Sequence, residues 1–400
     1  MLKNKLKDHR EIAREMDLFS FHEYAPGAIF WHPKGLKIYH ILEDFIRKKT
    51  ENEGYREIST PVIVKSELFK KSGHWQHFGE NIFSLKVDDE VYALKPMNCP
   101  ESTLVFSAHT RSYQDLPLRL SEFGILHRNE LSGVLGGALR VRQFTIDDAH
   151  IYVTPEQIHD EIIKLILMTI DVYKTLDYKP RFYLATHPEK AMGNTKSWQQ
   201  AEKSLEKALK STGVDFSIKP KEGAFYGPKI DIHILDSQKR DWQMATIQLD
   251  FQIPESMQLS YVDKDGAKKR PVMIHRGIFG SLERFIGILI EHTQGKLPLW
   301  LTPTQTIIMP ITNKQNAYAK KVVTSLIKAS IRSQLDERNE TLQAKIRDAI
   351  LQKIPYLVIV GEKEEKANLI TVRTREGKNL EKQKVSSFIN RLVKKIENKS

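Results

Sequence analysis

The interruption at residues 295–303 constrains this chain more than any other feature. Gly295-Lys-Leu-Pro298-Leu-Trp-Leu-Thr-Pro303 follows a long helical pattern and carries two prolines. Proline neither continues a helix nor sits in a central strand. The stretch therefore reads as a linker, dividing the chain into domains 1–297 and 298–400. Beyond it, strand-like and helical patterns alternate. The order is a strand at Thr306–Met309, a helix at Lys314–Ser330, a charged stretch, a helix near Leu342–Ile354, strands at Tyr356–Val360 and Ile370–Arg373, and an amphipathic helix at Val385–Ile396. That alternation predicts an α/β domain. Charge divides at the same place. Of 62 Lys/Arg and 50 Asp/Glu, 20 and 10 lie in residues 301–400, so nearly all of the +12 net charge sits there. A basic module on a near-neutral body suits a polyanion such as nucleic acid. A lysine-rich solvated surface has the same charge balance.

Residues 1–297 have a different rhythm. Leu36–Lys49 has apolar residues at 38, 41, 42, 45 and 46, the spacing of a helix. Strand-like runs follow at Gly54–Val64, Val91–Leu94, Leu118–Phe123, Phe144–Val153, Ile230–Leu235 and Thr246–Phe251. Consecutive strands joined by turns predict an α+β domain with a mostly antiparallel sheet flanked by helices. No G-x-G-x-x-G or G-x-x-x-x-G-K-[ST] follows a strand, so neither Rossmann nor P-loop nucleotide binding is indicated. The most apolar runs, Ile162–Ile170 and Phe285–Ile290, fall far short of the ~20 residues that span a bilayer. The N-terminus has no apolar h-region and carries Asp8, Glu11, Glu15 and Asp17, unlike a secretory or transit signal. A cytoplasmic location with no membrane partner is expected. The single cysteine, Cys99, excludes an internal disulfide and a Cys-cluster metal site.

Three blocks carry chemistry. Gly54–Val64 holds Pro61 in an extended run suited to an edge or interface strand. Leu118–Glu130, a Gly-rich loop, and Arg140–His150 read as strand, loop, strand. Arg128 and Glu130 alternate on one face, and arginine is the side chain best shaped to grip phosphate or carboxylate. Taken alone, the pair also reads as a surface ion pair. Pro271–Phe285 reads as a strand entering a helix through Gly277 and Gly280, with Arg284 in the first turns, where a helix N-terminus favours anions.

These blocks resemble motifs 1, 2 and 3 of class II aminoacyl-tRNA synthetases. Lys95-Pro-Met-Asn-Cys-Pro100, Lys71-Ser-Gly-His-Trp75, Glu222-Gly-Ala-Phe-Tyr-Gly-Pro-Lys-Ile230, Trp242-Gln243 and Gln248-Leu-Asp-Phe251 are similar to threonyl-tRNA synthetases. In the last hundred residues, Arg338-Asn339-Glu340, Ile354-Pro-Tyr356 and Val372-Arg-Thr-Arg375 resemble that family's anticodon-binding domain. The resemblance runs from about Asp8 to the C-terminus. It implies a threonine–tRNA ligase that makes threonyl-adenylate from L-threonine and ATP and then loads tRNA(Thr). One Zn²⁺ per chain is implied on Cys99, His150 and His275, with Mg²⁺ accompanying ATP. Read without the family, Cys99 is a buried hydrophobe and each histidine a satisfied strand residue. For ATP the resemblance implies Arg128, Glu130, Arg140, Phe144, Gln243 and Arg284. For threonine it implies Asp148, Tyr226 and Gln248, with Lys229 and His74 among the catalytic residues. Asn339, Arg347, Glu364 and Arg373 match anticodon-reading positions. A homodimer across the first block is implied as well.

The metal has a chemical rationale. An apolar pocket separates near-isosteres such as threonine and valine by only ~100-fold. Ligation of the hydroxyl makes that group a requirement. Serine keeps the hydroxyl and loses one methyl, worth roughly 1 kcal/mol, so it is expected to leak through. The chain starts at the catalytic domain, where most bacterial relatives carry an N-terminal module and an editing domain beforehand. The resemblance thus implies a form without its own means of clearing serine. The sequence also departs from the family's pattern at Glu101, Ser102, Gly136, Gln143, Ile146, Met244 and Ala245. Those departures leave open a paralogue with altered substrate tolerance or inhibitor resistance, or a non-catalytic tRNA-binding regulator. An activating enzyme that loads something other than tRNA would not need the basic domain.

Overall fold

The computed structural model describes residues 6–189 and 191–399. They form two compact units. One comprises His22–Ile29 and Glu43–Phe285; the other takes the segment up to Phe21, Phe30–Leu42 and everything from Ile286 onward.

In the first unit eight strands make one sheet. In chain order they are β1 (Arg56–Glu57), β2 (Leu118–His127), β3 (Gln143–Val153), β4 (Arg181–Ala185), β5 (Phe216–Lys219), β6 (Lys229–Leu235), β7 (Asp241–Asp250) and β8 (Val272–Ser281). Their spatial order is β5-β4-β6-β7-β8-β3-β2-β1. Pairing is antiparallel except at the two edges, where β5 runs parallel to β4 and β1 parallel to β2. Side chains alternate across a strand, and here the alternation separates core from chemistry. Ile151, Ile230, Ile232, Ile247, Leu249 and Ile274 point one way and are fully buried. Helices Ile158–Thr175 and Thr195–Thr212 pack on this sheet, the first against β7 and β8, the second against β4 and β6. Burial of each such isoleucine contributes about 1.5–3 kcal/mol. The opposite face is left for polar residues.

In the second unit β9 (Thr306–Pro310), β10 (Ser333–Leu335), β11 (Tyr356–Val360) and β12 (Thr371–Thr374) form a sheet ordered β10-β9-β11-β12. It is parallel except for β12. One face packs Ile308, Val358 and Val372 with Val322, Leu326 and Phe388; the other packs Ile307, Met309 and Leu357 with Ile346 and Ala349. Apolar cover on both faces is what a parallel sheet requires.

Several expectations need amendment. The extended run 54–64 is two short strands: β1 joins the large sheet, while Ile63–Lys65 joins a separate three-stranded sheet, with Pro61 between them. The charged stretch after residue 330 contains β10, and Glu362–Ala367 is a short helix. The helix expected at Leu36–Lys49 spans Pro33–Asn52. The proline-bearing segment is packed rather than a loose tether: Leu297, Leu299, Trp300 and Leu301 are buried, and Arg332 donates to the carbonyls of Trp300 and Thr302 at 2.7 and 2.9 Å.

Candidate active site

Register builds the site. Directly opposed residues in an antiparallel sheet share a face. Lys229 pairs with Gln248, Gln248 with His275, and His275 with His150. Four strands thus place one row of side chains on the polar face. Two residues along, Asp231, Thr246, Gly277, Asp148 and Glu122 form the next row.

Cys99 opens the helix Cys99–Ser107 against this face. Its thiol and one ring nitrogen each from His150 and His275 lie within 4.8 Å of one another, and all three residues are buried. His275 Nε2 donates to Asp250 Oδ2 at 2.9 Å, which leaves Nδ1 for a metal. Asp250 is itself fixed, since its Oδ1 accepts the backbone N–H of Gln252 and Ile253. One thiol, two imidazoles and a carboxylate behind one ring form a donor set suited to zinc. Burial pushes the Cys99 thiol up and the His150 imidazole down. Metal binding therefore has to displace the thiol proton.

Two cavities open on this face. The larger, about 470 Å³, is lined by Cys99, Asp148, His150, Tyr226, Lys229, Gln248, His275 and Arg128 among others. Asp148 accepts from Asn98 Nδ2 at 3.2 Å, and burial raises its carboxyl to about 6. Tyr226 donates its hydroxyl to Gln248 Oε1. The smaller cavity, about 180 Å³, is lined by Arg128, Glu130, Arg140, Phe144, Gln243 and Arg284, together with Ile146 and Met244. Arg128 and Ile146 line both.

The arginines are held in different ways. Arg128 sits 5.1 Å above the Phe144 ring, and its Nε donates to Pro96 O at 3.3 Å. Arg284 sits 5.3 Å above the Trp242 ring, and its buried Nε has no hydrogen-bond partner among the described residues. Arg140 instead pairs with Glu130 at 2.8 Å. Strand β2 ends at His127, so Arg128 and Glu130 lie in the turn beyond it rather than alternating on a strand.

His74 lies apart from both cavities. Its Nε2 meets Cys99 Sγ at 3.2 Å and its Nδ1 meets Ser72 Oγ at 2.9 Å; burial lowers it to about 3. His77 lines the larger cavity in its place, stacked 4.2 Å from Phe225.

In the second unit Asn339 and Arg347 are exposed. Glu364 is engaged internally, accepting from Gly361 N at 3.1 Å and Thr371 Oγ1 at 3.0 Å and pairing with Lys382 at 2.8 Å. Arg373 stands on β12, half-buried, with its Nε unpartnered among the described residues.

Sequence reasoning missed Asn98, Asp231 and Asp250. Asp250 lay within a quoted block, and Asp231 is two residues from Lys229 on one strand. That spacing was the available signal.

Comparisons with known proteins agree with this geometry. Residues 83–293 match the family profile of the tRNA synthetase class II core domain (G, H, P, S and T), and residues 305–395 match that of an anticodon binding domain. Curated threonine–tRNA ligases of Caldanaerobacter subterraneus and Clostridium tetani are each 49% identical over 99% of the chain. The chain spans 62% of the length of either relative. A crystal structure of the RNA binding domain of threonyl-tRNA synthetase from Cryptosporidium parvum superposes with a TM-score of 0.94 at 40% identity, covering 97% of this chain and 98% of that one. A putative threonyl-tRNA synthetase of Aeropyrum pernix gives 0.84 at 26% identity, covering 98% and 97%.

Proposed function

The chain belongs to the threonyl-tRNA synthetase family of class II aminoacyl-tRNA synthetases, and on that premise we propose that it acts as a threonine–tRNA ligase. The observation that carries this reading is the convergence of Cys99, His150, His275 and Asp148 in a cavity that shares Arg128 with a second, arginine-lined cavity. On this reading residues 1–297 are the catalytic domain and 298–400 the anticodon-binding domain.

Threonine occupies the larger cavity and ATP, with Mg²⁺, the smaller. Cys99, His150 and His275 would hold a zinc ion, which would supply a Lewis acid for recognising the hydroxyl-bearing substrate. Asp148 accepts the hydroxyl hydrogen, and Tyr226 and Gln248 close the pocket. Valine offers no hydroxyl and leaves these buried groups unpaired, a far larger penalty than a difference in shape. Serine satisfies them and is expected to be activated weakly.

The threonine carboxylate attacks the α-phosphorus of ATP and pyrophosphate leaves. No covalent enzyme intermediate is required, so catalysis is positioning and charge stabilisation. Arg128 holds the carboxylate and α-phosphate, Arg284 the γ-phosphate, Glu130 the adenine amino group, and Phe144 stacks on the ring. Arg140, Gln243 and Lys229 complete the walls. The ribose hydroxyl at the 3′ end of tRNA(Thr) then attacks the adenylate carbonyl and AMP leaves. His74, outside both cavities and behind Cys99, assists that transfer through its contact with Cys99 rather than by touching the reacting atoms. Asn339, Arg347, Glu364 and Arg373 read the anticodon. A cytoplasmic homodimer through the first block is part of the proposal. Among the described residues, no helix is long and apolar enough to cross a membrane.

The test is amino-acid-dependent ATP–pyrophosphate exchange on purified protein, with metal content measured on the same sample. Exchange with threonine, weaker exchange with serine, none with valine and about one zinc per chain supports the reading. No exchange with any of the three in zinc-replete protein overturns it.

A further inference from the structure

Asp231 is 1% exposed and lines neither cavity, yet it holds a wall of each. Its Oδ2 accepts from Lys229 Nζ at 2.8 Å, and its Oδ1 accepts from Gln243 Nε2 at 2.6 Å. Lys229 faces the larger cavity and Gln243 the smaller.

A bulge makes this arrangement reachable. Ile232 pairs with Ala245 but His233 pairs with Gln243, so Met244 is an extra residue on β7. Without the bulge His233 would oppose Met244, and Gln243 would oppose Ile234 on the core face. The bulge turns Gln243 onto the face of Asp231, as bulges re-aim side chains next to active sites.

We propose that Asp231 is a positioning residue that fixes Lys229 and Gln243 to one frame and so couples the amino-acid cavity to the nucleotide cavity. The proposal rests on the ligase reading. With both oxygens of one carboxylate engaged, neither partner can turn without breaking a charge-assisted bond. Gln243, its amide nitrogen committed to Asp231, has its Oε1 to offer, and so selects a hydrogen-bond donor on the nucleotide. Lys229 meets its substrate with its charge already offset.

The experiment measures KM for threonine and for ATP separately, by pyrophosphate exchange, in the wild type, Asp231→Asn, Asp231→Ala, Gln243→Ala and Asp231→Ala/Gln243→Ala. Asparagine can still accept from Gln243, but it sets an amide N–H₂ against the Lys229 ammonium. Asp231→Asn is therefore expected to raise the threonine KM about tenfold, with a small change for ATP, and Asp231→Ala to raise both about tenfold. The double variant should show no ATP penalty beyond Gln243→Ala alone, because Asp231 acts on ATP through Gln243. A residue that only supports the fold would lower the melting temperature and active fraction without moving either KM. Unchanged KM values in folded Asp231→Ala, or an additive ATP penalty in the double variant, overturn the proposal. Wild-type protein without threonine-dependent exchange instead overturns the ligase reading. The proposal is then judged on ATP affinity by calorimetry in wild type and Asp231→Ala, where equal affinities refute it.

Discussion

Lys95→Met tests whether the site rests on a buried charge network. Lys95 and Glu122 have side chains 1% and 5% exposed, with Nζ and Oε1 2.9 Å apart. Thr60 closes the triangle: its Oγ1 accepts from Lys95 at 2.8 Å, while its N–H donates to Glu122 at 2.8 Å. Removing one partner of a buried pair costs about 3–5 kcal/mol, because the remaining charge has lost its compensation. Glu122 would keep its bonds from Thr60, which places the loss near the lower end, about 3 kcal/mol. At roughly 2–4 °C per kcal/mol for a unit of this size, the melting midpoint should fall by about 6–12 °C. Glu122→Gln keeps an acceptor for Thr60 but strands the ammonium, so it should also destabilise the fold. The double variant Lys95→Met/Glu122→Gln buries no charge. It should lose about 1–3 kcal/mol less than the two single losses combined. The assay is chemical denaturation of all four proteins, with thermal melts alongside. A loss below about 1 kcal/mol for Lys95→Met, or strict additivity in the cycle, would refute the reasoning. A functional effect should accompany the loss of stability. Lys95 O accepts the N–H of His127 and Pro96 O accepts Arg128 Nε, so loosening this segment should lower exchange well below the melting midpoint.

Three further predictions follow from individual side chains. Burial raises Glu283 to about 7 although Thr145 N–H and Ser281 Oγ donate to it. Its stabilising contribution is thus fully present below the unfolded value of 4.5 and lost as pH rises through about 7; Glu283→Gln should flatten the stability–pH curve across that window, and an unchanged slope would count against it. Asp250→Asn should weaken zinc retention by about 10–100-fold in chelator competition, because the His275 ring loses the carboxylate that orients it; equal retention would remove Asp250 from the metal site. Arg347→Ala, at a side chain 71% exposed, should weaken tRNA(Thr) binding and leave pyrophosphate exchange intact, whereas Glu364→Ala should also destabilise the second unit. Filter binding and thermal melts separate the two, and equal tRNA affinity for Arg347→Ala would argue against its reading the anticodon.

The parts of the site legible in the sequence were those in which one local block holds the chemistry. Lys95–Pro100, Glu222–Ile230 and Pro271–Phe285 could be recognised as written, and most cavity-lining residues come from them, from the second block and, for Gln243 and Gln248, from β7. Their assembly is a long-range property. Cys99, His150 and His275 are far apart in sequence and meet because β8 pairs with β3 in the register that opposes His275 to His150. No local spacing contains that register, and without a family resemblance the three residues gave no signal. Asp231 and Asp250 escaped for a related reason. A strand carboxylate usually faces solvent, and only the packed sheet shows these two buried against Lys229, Gln243 and His275. In the fold, long alternating runs such as Phe144–Val153 were readable, whereas three-residue β10 and the short strands β4 and β5 at one end of the large sheet carry too little period to register. The proline-bearing segment misled because proline marks a break in regular structure, not an absence of packing.

The site treats its charged groups in two ways, and the difference matches what each has to do. Lys229 and His275 are tied to the buried carboxylates Asp231 and Asp250, which fixes their geometry before any substrate arrives. Arg128 and Arg284 are supported on aromatic faces, over Phe144 and Trp242, and neither is paired with a carboxylate among the described residues. A carboxylate would occupy the guanidinium fork and neutralise it. An aromatic face holds the plane of the group while leaving its donors and its charge free for an incoming anion. Arg140 lies between these cases, since Glu130 holds it and a nucleotide that engages Glu130 would release it. Rigid pairs where shape must be read, and unpaired guanidinium groups where phosphate charge must be met, are what an enzyme needs if its catalysis is positioning and electrostatics.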